Sequence, residues 1–491
     1  MVWQMLAGCS KRSARLAAGA CLLACALAGA LAPGAARAEE APDGFHATPS
    51  LYWKRGDHRI DVGASVRSRS EAWAAFTNDY EWFTGLRTRI RAQYGFRERL
   101  FVAAEFQDIQ LFGMDRDGTG ALAVYRNANG GDHNAGGDDL RAFYAEGRFS
   151  ESGFLRLGRQ DLKLGHEVLE AEPNWKYLKM ARLSERMVGT VGWSHVERAY
   201  DGIAAGYEVE GVKLYGFAAR PTTGVFEAEH AYSHQSDITF GGASVTARRG
   251  TLLENLEIGV FGLGYGDDRP VRDGGLPDEV VVGTLGMHFL GVFALGPGNV
   301  DALGWGAYQF GDYNDLDHSA GAGILEVGYQ LPNVFAKPWL RGGINIASGD
   351  GNADDGDHET FFNMLPTNHL YYGFADQLAF QNLIDTFVQL RASPHPMVAF
   401  NLFIHWFELA TDDDLRYAGT GAFDKNVFGF PGTATNGHSR IGTEYDVVAT
   451  FTPHRTTIVE LGYSHLEGGA MFRTARDRDL DFIYVSLELK Y

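Results

Sequence analysis

Residues 86–94 read LRTRIRAQY, a run in which Arg87, Arg89 and Arg91 alternate with Thr88, Ile90 and Ala92. Successive side chains of a pleated strand point to opposite faces. A period of two therefore puts Arg87, Arg89, Arg91 and Gln93 on one side and Leu86, Thr88, Ile90, Ala92 and Tyr94 on the other. A helix would scatter the arginines around its circumference. Cations in file on an otherwise apolar strand mean either a solvated sheet face or the wet inner wall of a barrel. The rest of the chain decides between them.

The same period recurs from residue 58 to the end. Ile60, Val62, Ala64 and Val66 oppose Asp61, Ser65, Arg67 and Arg69, and Ile384, Thr386, Val388 and Leu390 oppose Asp385, Phe387, Gln389 and Arg391. Thr443, Tyr445, Val447, Ala449 and Phe451 oppose Glu444, Asp446 and Val448; Ile483, Val485, Leu487, Leu489 and Tyr491 oppose Tyr484, Ser486, Glu488 and Lys490. Periodicity alone does not separate a soluble sandwich, apolar inside, from a membrane barrel, apolar outside. The connections do. Short turns near 95–98, 150–153, 208–211, 248–254, 296–301, 331–337, 393–396 and 453–455 alternate with longer polar loops near 70–82, 112–137, 163–196, 220–236, 266–276, 311–318, 349–378, 411–438 and 467–478. That alternation, starting and ending long, predicts an all-β fold: a transmembrane antiparallel up-and-down β-barrel of about 18 strands, with short periplasmic turns and long extracellular loops. Closure removes the two edges that so long a sheet would leave open.

The N-terminus agrees. Lys11, Arg12 and Arg15 precede an apolar run, and Ala36-Arg37-Ala38 supplies a small-x-small cleavage pattern. Residues 1–38 therefore read as a cleaved signal peptide, 39–57 as a short periplasmic segment and 58–491 as the barrel. A lipoprotein reading through Cys25 is disfavoured by the apolar residues that follow it. All three cysteines lie upstream of the cleavage point, so the mature chain has no thiol chemistry. Removing the leader's four basic residues takes the net charge from −19 to −23, which excludes a nucleic-acid partner.

Several motifs resemble one family. They are LRLGRQDLKLGHEVL (155–169), RAYDGI (198–203), GAYQFGDYN (306–314), Lys337-Pro338, ASGD (347–350), TFFNMLPTNHLYYGFAD (360–376), HWFELATDDDLRY (405–417) and IGTEYDVV (441–448). In this order the series is similar to the alginate export family of outer-membrane porins. The resemblance implies an 18-stranded barrel with a narrow, arginine-lined conduit for an acidic polysaccharide. Arg159 and Arg198 belong to these motifs. A terminal strand ending in aromatic Tyr491 resembles the outer-membrane assembly signal, for which phenylalanine is the more usual last residue.

In a barrel, Arg87, Arg89 and Arg91 take the lumen face, because an arginine in hydrocarbon costs roughly 2–4 kcal/mol near the midplane. Arg67 and Arg69 join them from the preceding strand, and Arg156, Arg341 and Arg391 lie on polar faces farther on. Asp61, Glu105, Glu146, Glu326, Asp385, Glu444, Asp446 and Glu460 are the expected lumen counter-charges. Guanidinium forks match carboxylates bidentately, so a polyuronate could pass from one arginine to the next. The alternative is that these arginines only pair with lumen acids and stiffen the wall.

No catalytic constellation is present: His166-Glu167 lacks the second histidine of a zinc-protease helix, and no G-x-S-x-G elbow occurs. The acidic run 350–359 has Asp355 where a calcium loop requires glycine. Neither a cofactor nor a resident metal is expected. Three functions remain: passive export of an anionic exopolysaccharide, a general or nutrient-uptake porin for small hydrophilic or anionic solutes, or an adhesin acting through loops 112–137 and 349–378. The first calls for outer-membrane lipid and an anionic polysaccharide as partners, and leaves room for a periplasmic secretion partner.

Overall fold

The computed structural model describes residues 51–491 apart from 234, 236, 272–278, 370, 420–426 and 473–478. The leader and residues 39–50 lie outside the described residues. Eighteen strands form the wall: β1 (His58–Ala75), β2 (Glu81–Phe96), β3 (Leu100–Phe112), β4 (Asn134–Arg148), β5 (Phe154–Gln160), β6 (Tyr200–Val209), β7 (Val212–Pro221), β8 (Ile238–Ala247), β9 (Leu256–Asp267), β10 (Val280–Leu295), β11 (Gly298–Tyr313), β12 (Leu316–Gln330), β13 (Trp339–Ala347), β14 (Leu383–His395), β15 (Val398–Glu408), β16 (Arg440–His454), β17 (Thr457–Gly468) and β18 (Leu480–Lys490). Each pairs antiparallel with its neighbours in sequence, and β18 closes the ring on β1 from Ser65↔Lys490 to Ala75↔Leu480. A further short strand, Leu51–Arg55, takes the lower edge of β1, from Leu51↔Val62 to Arg55↔His58.

The greasy side faces outward. Leu155, Leu157, Leu285, Val327, Val485 and Leu487 are exposed, whereas Asp61, Arg69, Glu326, Asp385 and Glu444 are buried toward the bore. On β2 the outward Trp82 and Tyr94 bracket the apolar stretch. Twelve residues at about 3.3 Å each, on a strand tilted by roughly 40°, separate them by about 30 Å in height, the spacing of aromatic girdles flanking a hydrocarbon band of about 25 Å.

The alternation of connections holds, with two shortened. The loop expected near 311–318 is the two-residue hairpin Asn314-Asp315, both at positive φ (52° and 61°) as a type I′ turn requires. The loop expected from residue 70 begins only after Ala75, because β1 continues past the apolar band to pair with β18.

Two of the long loops turn inward. Residues 161–199 and 348–382 are largely buried, and their apolar side chains, among them Leu162, Trp175, Leu178, Met187, Phe361 and Tyr372, form one cluster with inward wall residues such as Phe83, Phe261 and Trp305. Their backbones meet where Leu365 N–H donates to Met187 (3.0 Å) and Gly189 N–H to Leu365 (2.8 Å). The barrel interior is thus a packed core, of the kind seen in barrels plugged by their own loops.

Candidate functional site

Residues 161–199, hereafter the insert, leave β5 at the loop end and descend almost to the turns. There a helix, α1 (Pro173–Leu178), starts with proline in its first turn and with the Glu172 carboxylate accepting from Asn174 N–H (3.2 Å) and Trp175 N–H (3.0 Å). Near the turns Glu170 pairs with Arg248 (3.2 Å), and Asn174 donates to Gln330. One π turn, Lys179–Leu183, follows, and the chain then climbs back to β6.

The wall that receives the insert is unevenly charged, with basic residues in excess on one side and acidic ones on the other. Strands β1–β4 carry Arg67, Arg69, Arg87, Arg89, Arg91 and Arg141 inward; across the ring, β9–β16 carry Glu257, Asp301, Glu326, Asp385, Glu444 and Asp446. The insert offers each wall the opposite sign. Its Lys179 pairs with Glu257, and its Arg182 donates to both oxygens of Glu326 (2.8 and 3.0 Å), with Arg186 3.2 Å away. At its other end Glu197 faces the arginines: Oε1 accepts from Arg87 (2.5 Å), while Oε2 accepts from Arg141 (2.9 Å) and lies 2.9 Å from Arg89. Burial alone would raise the Glu197 carboxyl, yet Arg89, Arg87 and Arg141 hold it well below the usual range.

The remaining ladder residues grip backbone. Arg67 donates to the carbonyls of Gly192 (3.2 Å) and Ser194 (2.6 Å), and Arg69 to that of Trp193 (2.6 Å) while stacking 3.7 Å over its ring. Arg69 also pairs with Glu71 (2.6 Å), whose Oε1 accepts from His195 (2.9 Å). The fit is close: a Cβ on Gly85 would lie 2.0 Å from the His195 ring, so β2 needs glycine there. Arg91 sits below the cluster opposite Gly63, whose missing side chain makes room for its guanidinium.

Other residues expected in the lumen are there, and all but Glu105, which touches Arg141, lie apart from this cluster. Arg156 pairs with Glu146 (2.5 Å), and Arg341 bridges Asp301 (3.0 Å) and Glu326 (2.9 Å). Glu105 accepts from Arg141 (2.8 Å), Asp61 pairs with Arg59 (2.8 Å), and Asp385 accepts from Asn345 (2.8 Å) and His405 (2.9 Å). Glu444 accepts from the inward loop's Ala375 N–H (3.0 Å); Asp446 lies 3.9 Å from His405; Glu460 accepts from Tyr484 (2.8 Å). Arg391 stacks 4.1 Å over Tyr177 of the insert. Arg159 points outward and pairs with Asp201 (2.7 Å). Among the described residues no three carboxylate or histidine side chains gather as a metal site, in run 350–359 or elsewhere.

Sequence reasoning missed Glu71, Arg141, Lys179, Arg182, Arg186, His195, Glu197 and Glu257. Arg141 escaped because a bulge at Glu105/Phe106 shifts the parity of β4. The insert residues escaped because their segment read as a polar loop. Its signal was Leu162, Leu164, Val168, Trp175, Leu178, Leu183 and Met187, all buried and too much apolar surface for a solvated loop.

Three histidines of the inward loops are held neutral. Burial pushes His195 down to about 3, reinforced by Arg69; it takes His166 to about 4 and, with His318 adjoining, His358 to about 3. An undocked loop, with imidazoles near the ordinary 6.5, binds protons first as the medium acidifies. Docking is therefore at full strength above about pH 6.5 and weakens as pH falls toward about 3. Amide exchange in residues 161–199, corrected for its intrinsic pH dependence, is expected to accelerate between about pH 6.5 and 4.5. A flat profile would contradict the assignment.

An arginine-bearing bore inside an apolar-skinned, closed ring of antiparallel strands defines an outer-membrane barrel of the porin type. Solved structures share the architecture. OccAB1 of Acinetobacter baumannii superposes with a TM-score of 0.59 at 8% identity, covering 88% of this chain and 96% of that one. OpdK of Pseudomonas aeruginosa gives 0.54 at 13% identity, covering 88% and 99%, and its structure with vanillate gives 0.53 at 12%, covering 88% and 98%. No curated protein matches the chain in sequence. The sequence profile of the alginate export family matches residues 58–486, and the chain belongs to that family.

Proposed function

We propose that this protein is a passive outer-membrane channel exporting an anionic exopolysaccharide, alginate or a similar polyuronate, along its lumen arginines. The observation that carries the reading is that Arg87, Arg89 and Arg141 already converge on one carboxylate, Glu197 of the insert. A uronate chain presents the same group on every sugar. It exchanges with Glu197 without leaving the guanidiniums unpaired, and the insert yields the bore as the polymer occupies it. Arg91 and Arg156 extend the basic wall toward the turns. Family membership supports a channel of this class; the cargo and its direction are our reading.

Reconstituted channels are expected to select anions, added polyuronate to block the current, and Arg89→Glu to weaken the block by about tenfold or more, the order lost with a charge-assisted contact. Cation selectivity in the unmodified protein would reject the proposal. A second reading, uptake of small carboxylates, draws on the OpdK structure with vanillate. Rapid passage of small neutral sugars with no polyuronate effect would favour it.

A further inference from the structure

At the short-turn end the connection 331–338 leans against the neighbouring β14–β15 hairpin, where Ser393 N–H donates to Ala336 (2.6 Å). Between it, the β14–β15 hairpin and Thr450 and Thr452 of β16 lies a cavity of about 480 Å³. That volume falls within the roughly 300–1,000 Å³ of small-ligand sites.

The charge of its lining is one-sided. Arg391, Lys337 and His395 contribute to it, and no aspartate or glutamate does. Arg69, Arg87, Arg89, Arg156 and Arg341 each face a carboxylate. Arg391 faces the cavity instead, and its buried Nε has no hydrogen-bond partner. The adjoining acid, Glu460, is already engaged by Thr450 (3.2 Å) and Tyr484 (2.8 Å). Ala336 and Lys337 both hold positive φ (62° and 44°), a conformation that non-glycine residues disfavour, and this turn carries Lys337 to the rim. The Tyr177 ring lies under Arg391 and sets the plane of its guanidinium, while the Tyr177 hydroxyl accepts a hydrogen bond from Gln389 (2.5 Å).

We infer that this cavity is a carboxylate-binding site on the periplasmic face that receives a uronate sugar, with Arg391 as the fork, Lys337 as the second cation and Tyr177 as the platform. The inference rests on the export reading and assigns it a receiving site. Tyr177 belongs to the insert, so an occupant held by Arg391 is one side chain away from the element that fills the bore.

The test is calorimetric titration of the detergent-purified full chain with a mannuronate hexamer, maltohexaose and benzoate. The hexamer is expected to bind the unmodified protein, maltohexaose not to bind, and benzoate to bind at least about tenfold more weakly than the hexamer. Arg391→Gln and Lys337→Gln are each expected to weaken hexamer binding at least about tenfold, the loss of one charge-assisted contact, with Arg391→Lys intermediate. Native folding of each variant is checked by heat-modifiable gel mobility; Lys337→Gln, in a rim turn, carries the test alone if Arg391→Gln does not fold.

Equal hexamer affinity in the unmodified protein and Lys337→Gln would overturn the site, as would absence of hexamer binding to the unmodified protein. Both leave the export reading to the selectivity and block measurements. Benzoate binding as tightly as the hexamer would make the ligand a small organic acid and overturn the sugar assignment.

Discussion

Glu197→Gln is expected to open the barrel. The Glu197 carboxylate holds Arg87, Arg89 and Arg141 within 2.5–2.9 Å in a site closed to water. An amide of the same shape removes the charge, strips Arg87 of its carboxylate partner and leaves Arg89 and Arg141 only the wall acids Glu105 and Asp161 beside them. Breaking a buried ion pair from one side costs roughly 3–5 kcal/mol, mostly through the uncompensated partner. That cost falls on the docked state alone, since a released insert lets the arginines hydrate. Single-channel recordings should show larger conductance, and proteases should cut between residues 161 and 199. Unchanged conductance together with unchanged cleavage would mean that this contact does not hold the insert.

Glu326→Gln is expected to loosen the opposite anchor by a similar amount. Its carboxylate, fully buried, accepts from Arg182 (2.8 and 3.0 Å), Arg186 (3.2 Å) and the wall's own Arg341 (2.9 Å). The Glu197 and Glu326 clusters share no partner and lie on opposite walls. Their losses of stability in denaturant titrations should add to within about 0.5 kcal/mol. Conductance should behave differently, because either anchor alone retains part of the insert in the bore. The double variant is expected to conduct more than the two single variants combined. A double variant no more conductive than the better single one would show that the insert is not what limits the pore.

The parts of this architecture legible in the sequence are those set by a two-residue period. Facing Ile60 and Val66 outward and Asp61, Arg67 and Arg69 inward needed only alternation, and the barrel has them so. The strand number followed from connection lengths, because turn-end hairpins carry local signals such as Glu210-Gly211, both at positive φ. Alternation says which side a residue faces and nothing about what meets it there. Glu197 lies 110 positions from Arg87, and nothing local to either residue encodes the pairing. The ladder Arg67, Arg69, Arg87 and Arg89 was therefore visible as a basic wall, while its occupant was not. The inward loops read as polar in the sequence because charged and amide residues are interspersed among their tryptophan, leucines and phenylalanines.

The long sequence separations within the filled bore bear on how the molecule is made. Arg67 meets Ser194 across 127 positions, Arg182 meets Glu326 across 144, and Tyr177 meets Gln389 across 212. Closing such loops costs little more free energy than closing short ones, but it is slow, because distant partners must first be present. The insert is synthesised before β12 and β14, which supply its acidic and turn-end partners. Assembly in the outer membrane thus passes from a hollow cylinder with unbalanced interior charge to a stoppered one, and stoppering is the late event.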